Sequence, residues 1–140
     1  MNDNRHQESR PPRVSTAVTL LYLTLGMGII RSFLEVPRLL QVAPPGFGLG
    51  FFLFVIIFTM AFLVFLTVMI GKGRNWARIT YLVLTIVGLP LSVLPLYQSL
   101  TKTPISGIIG TAQLVLQTIA LIFLFQRASS EWFRSRGKLP

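Results

Sequence analysis

Residues 48–70 contain no charged side chain, residues 79–100 contain none either, and only Gly71-Lys72-Gly73-Arg74-Asn75-Trp76-Ala77-Arg78 stands between them. About 20 apolar residues, at 1.5 Å rise each, cross about 30 Å of hydrocarbon. The middle of the chain therefore reads as a membrane hairpin with a positively charged tip. Composition agrees: 52% of the 140 residues are apolar and 12% are charged. A soluble domain of this length could not hide that much apolar surface, whereas lipid solvates it.

Two further spans flank the hairpin. The expected helices are 14–34, 49–70, 76–97 and 105–125, giving an all-α, four-helix antiparallel membrane bundle over residues 14–126. Residues 1–13 are polar, carry the lone His6 and end in Arg10-Pro11-Pro12-Arg13, the composition of a disordered tail. The apolar run after them is long for a signal peptide and no small-x-small cleavage site follows, so the first helix is expected to stay uncleaved. Two prolines and three glycines over 42–50 predict a loop, and residues 98–104 a second one. Asn75 is expected to cap the third helix. Pro90 and Pro95 are expected to kink its far half. Residues 127–140 form a basic tail with Trp132-Phe133, expected to lie along the headgroup layer.

The net charge of +9 could suggest nucleic acid. The basic residues, however, cluster at the ends of apolar runs and form no aromatic-interleaved stripe, so no nucleic-acid partner is expected. Anionic lipid headgroups are the natural counter-charge, at about 1 kcal/mol per basic residue. Ten of the 13 Lys and Arg lie in the two tails and the central turn. The positive-inside rule then puts both termini and the turn in the cytoplasm. Lys72, Arg74, Trp76, Arg78, Trp132 and Arg134 become candidate membrane-surface anchors. At the opposite side, Arg31, Glu35 and Arg38 are spaced i, i+4 and i+7 and share a face, which suggests an ion pair at the outer edge of the membrane.

Three helices carry small or weakly polar residues at i, i+4, i+7 and i+11, a spacing that places each set on one face. These are Ser15, Thr19, Tyr22 and Gly26; Tyr81, Thr85, Gly88 and Ser92; and Ser106, Gly110, Gln113 and Gln117. Close helix packing is one use for such stripes. A solvated path or ligand pocket is the other, with Gln113 and Gln117 its most capable hydrogen-bonding groups.

Candidate chemistry is sparse. Apart from Arg78 at the start of the third, no Asp, Glu, Lys, Arg or His lies in the second, third or fourth expected span, although coupled transporters usually need one inside the membrane. With no cysteine and one histidine, thiolate chemistry is excluded, and no metal cluster or nucleophile–base pair can be assembled. The Gly46-x-Gly48-x-Gly50 run lacks the strand that precedes a dinucleotide loop. Neither a cofactor nor an enzymatic activity is expected.

The segments Gly73-Arg74-Asn75-Trp76-Ala77-Arg78 and Ser130-Glu131-Trp132-Phe133-Arg134, with Leu20-Leu21-Tyr22-Leu23, Gly26 and Gly28, resemble a pattern in small bacterial inner-membrane proteins of uncharacterised function. The likeness covers residues 14–136 in layout. It implies a four-helix bacterial inner-membrane protein and brings no catalytic or binding residues with it. Three roles fit these features. The first is an interaction or accessory protein that packs on itself or on a membrane partner. The second is a minimal homo-oligomeric transporter or channel for a small solute. The third is a sensor of anionic lipid that works through the basic tail. The first is the favoured expectation.

Overall fold

The computed structural model describes residues 11–42 and 44–136. Expectations that fall on residues 1–10, Ala43 and 137–140 lie outside them. Among the described residues there are five helices and no strand: α1 (Pro12–Val42), α2 (Leu49–Gly71), α3 (Asn75–Lys102), α4 (Pro104–Phe125) and α5 (Arg127–Arg136). The first four are each long and apolar enough to cross a membrane, as expected. Their outer faces are apolar: Phe54, Ile57 and Phe58 on α2 and Leu91 and Leu94 on α3 are among the most exposed residues. Helices satisfy their backbone groups internally, so such surfaces suit hydrocarbon.

Two helices run past their expected ends. α1 continues through Pro37, and α3 continues through Pro90 and Pro95 to Lys102. A proline removes one backbone donor, but hydroxyls and neighbouring helices can cover the freed carbonyls in a membrane span. Ser92 Oγ donates to the Leu89 carbonyl of its own helix at 2.8 Å, and α3 runs on unbroken to Lys102. The expected loop over 98–104 therefore shrinks to Thr103 alone. The α3–α4 corner is tight there: a Cβ on Gly107 would sit 2.6 Å from the Leu100 Cα.

The α2–α3 turn depends on Gly73, whose φ of +81° favours glycine. Its N–H donates to the Ile70 carbonyl and that of Arg74 to the Met69 carbonyl, the paired bonds of a Schellman stop. Arg74, not Asn75, occupies the N-cap of α3, and no side chain caps that helix.

Each of α1 to α4 packs on its sequence neighbours, and α1 and α4 also meet across the bundle and close the ring. Contacts climb α1 as they descend α4. Arg13 Nη1 donates to Gln126 Oε1 at 2.6 Å, Gly28 faces Gln113, and Arg31 lies over Gly110. Val14, Ala17, Val18, Leu21, Leu66, Ile70, Ala77, Tyr81, Leu121 and Leu124 bury together at one end, with Trp132 and Phe133 of α5 folded beneath them. Arg78 joins the turn to this floor. The described parts of the two tails and the central turn thus meet at the same end of the molecule.

Candidate functional site

The middle of the bundle holds a cavity of about 260 Å³. α3 presents Tyr81, Thr85, Gly88 and Ser92 to it, the whole of the stripe expected on that helix. Gly110, Gln113 and Gln117 face it from α4. Gln117 Nε2 donates to Thr85 Oγ1 at 2.9 Å, which ties the two helices at the wall. Thr85 Oγ1 in turn donates to the Tyr81 carbonyl. A Cβ built on Gly88 would meet nothing within 4 Å, so this glycine contributes open space and no close helix contact. Gln113 packs over Gly28, and its Oε1 is buried with no hydrogen-bond partner among the described residues.

α1 turns a different face inward from the one its small residues mark. Tyr22 is 46% exposed, Ser15 and Thr19 are exposed too, and a Cβ on Gly26 would meet nothing. Thr19 Oγ1 donates to the Ser15 carbonyl of its own helix, so it needs no partner across the bundle. The lining from α1 is Thr24, Leu25 and Arg31. Tyr22 therefore belongs to the outer surface, and Arg31 takes a place in the lining that its spacing did not suggest.

Arg31, Glu35 and Arg38 all lie inside α1, where an outer-edge ion pair was expected. Glu35 Oε1 accepts hydrogen bonds from Ser99 of α3 and Ser106 of α4, each at 2.6 Å. One carboxylate thus joins three helices, and Ser106 serves it instead of lining the cavity. Glu35 Oε2 stands 3.7 Å from Arg38, which also donates to Gln98 Oε1 at 2.5 Å. Arg31 is less well partnered. Its Nε lies 4.0 Å from Glu35 Oε1, and its guanidinium makes no hydrogen bond to any described residue. With two cations and one anion, the trio keeps one positive charge, and that charge borders the cavity. Arg31 sits at the level of Gly110, six residues into α4 and so about 9 Å from its first turn.

At the other end the expected anchors divide. Lys72, Arg74 and Arg134 are exposed, and Trp76 is half-exposed with its ring 6.1 Å from that of Phe65. Arg78 differs from the expectation: it is only 9% exposed. Its Nε donates to Asn75 Oδ1 at 2.6 Å, and its Nη1 to the Leu124 carbonyl and Ser130 Oγ at 3.1 and 3.2 Å. The guanidinium also lies 4.6 Å from the Phe133 ring centroid and 5.0 Å from that of Phe125. Its charge is engaged inside the protein. Trp132, 7% exposed, is likewise packed under the bundle and not laid on its surface.

Comparison of the chain with protein-family models, curated proteins and solved structures gives no match. The functional reading therefore rests on the geometry above.

Proposed function

We propose that this protein is a four-helix antiparallel bundle of the cell inner membrane that binds a small solute in the cavity between its helices. The observation that carries this reading is the inward turn of the α3 and α4 stripes onto a cavity of about 260 Å³ within a single chain. Concave, mostly apolar sites with a few convergent polar groups are the usual form of small-molecule sites, and the space between bundle helices is a common place for them. The cavity serves binding or passage of a solute and involves no cofactor and no catalytic step. Stripes that look inward are not free to hold a partner protein. This turns our reading from the accessory role favoured by the sequence to the solute-handling one.

Both termini and the α2–α3 turn face the cytoplasm in this account. The support is the gathering of basic segments at one end, together with the positive-inside rule. Exposed Lys72, Arg74, Arg127 and Arg134 at that end suit anionic headgroups.

Gly88→Phe tests the reading, because the new ring would enter open space. In a thermal-shift screen of metabolite-sized solutes, a subset should stabilise the wild-type protein and leave Gly88→Phe unmoved. If no solute distinguished the two proteins, the cavity would have no binding role.

A further inference from the structure

The ligand's chemistry can be taken one step further, and this step rests on the cavity being a binding site. Lining groups on α1 run from Thr24 to Arg31, seven residues or about 10 Å along the axis. One end carries the Arg31 guanidinium, with Ser92 and Gly110 also in the lining; the walls below are mainly Leu25, Met60, Leu63, Leu84 and Leu114. An arginine inside a span is expensive unless something compensates it. Glu35 does so only in part: its Oε1 already accepts from two serines, its Oε2 faces Arg38, and Arg31 Nε is held no closer than 4.0 Å. No acidic residue lines the cavity. The site therefore lacks one anion at its charged end and offers an apolar channel beside it.

We infer that the cavity takes a single-tailed anionic amphiphile, its carboxylate or phosphate head on Arg31 and its tail along the leucine walls. A planar guanidinium with unused N–H donors suits such a head, which it can grip through two parallel hydrogen bonds. A two-tailed phospholipid is too large for this volume. A bare anion would leave the leucine walls unfilled.

The test is calorimetric titration of the full chain in phosphatidylcholine nanodiscs, with empty nanodiscs as the blank. The probes are octanoate, octylammonium and 1-octanol, matched in tail, and acetate as the head alone. Octanoate should bind about tenfold or more tighter than each of the other three, a gap of about 1.4 kcal/mol or more. Arg31→Gln should remove that advantage while leaving octanol binding in place, and Arg31→Lys should restore part of it. Gly88→Phe, which keeps the charge but fills the space, should abolish octanoate binding and guards against misfolding of the Arg31 variants. Octanol or octylammonium binding as tightly as octanoate, with loss in Gly88→Phe, would overturn the anionic head and spare the cavity reading. Acetate binding as tightly as octanoate would overturn the tail. Binding of none of the probes to the wild-type protein, or octanoate binding undiminished by Gly88→Phe, would overturn the inference.

Discussion

Arg78 and Arg74 are four positions apart and, as sequence, equivalent: two basic residues at the tip of a membrane hairpin. Their surroundings make them opposites. Arg74 is exposed, while Arg78 holds Asn75, the Leu124 carbonyl, Ser130 and two aromatic faces together. Hydrogen bonds from a charged group and a desolvated cation–π contact each contribute on the order of 1–3 kcal/mol. Arg78→Met should therefore lower unfolding stability by about 2–3 kcal/mol, and Arg74→Met by less than about 0.5 kcal/mol. Denaturant unfolding of both variants in the same detergent reads the difference. Arg78→Lys should rescue little, because a compact ammonium cannot reproduce a planar fork stacked on rings. Equal effects at the two positions would return Arg78 to the role of a headgroup anchor. The sequence could not separate them, since Leu124, Ser130 and Phe133 lie far along the chain. The same distance hid Glu35: its serine partners are 64 and 71 positions away.

Helix faces were legible where polar groups must leave their own backbone for a partner, and illegible where they need not. Gln117 reaches across to Thr85, so the α3 and α4 stripes could be read from spacing. Thr19 donates to a carbonyl one turn earlier in α1, and the spacing of Ser15, Thr19, Tyr22 and Gly26 pointed to the wrong face. The buried face is instead Val14, Ala17, Val18, Leu21, Thr24, Leu25 and Gly28, a set that is apolar but for Thr24 and has no special mark in a sequence this hydrophobic. Glycines show the same ambiguity. Gly88 and Gly107 are each one glycine in a helix, yet their substitutions should differ in sign. Gly88→Ala enters open space and should stabilise by about 0.5–1 kcal/mol through helix propensity. In Gly107→Ala the methyl meets the Leu100 backbone at 2.6–2.7 Å, which cannot yield as a side-chain tip could. It should destabilise by about 1–3 kcal/mol. Unfolding curves of the pair in one detergent decide it; stabilisation by both would mean the α3–α4 corner is looser than described here.

At the scale of the whole molecule, the sequence was most informative about what lies outside and least about what lies inside. Four long runs free of interior charge require spanning-length helices, and the helices are there. The helix ends moved because α1 runs on through Pro37 to Val42 and α3 runs on past Tyr97 to Lys102. The cavity was legible only as one of two uses for the stripes, because it exists only once the four spanning helices are set against one another. The central claim is that the α3 stripe borders a space reachable by small polar molecules while its neighbours on the same helix face lipid. The chain has no cysteine, so a single introduced thiol can report on this directly. The measurement is the rate at which a small anionic methanethiosulfonate modifies Gly88→Cys compared with Ile86→Cys, whose parent residue is exposed on the outer surface. Modification depends on access and on the thiolate form, which lipid disfavours, so Gly88→Cys should react about tenfold faster or more. Equal rates at the two positions, or no reaction at either, would contradict a solute-accessible cavity.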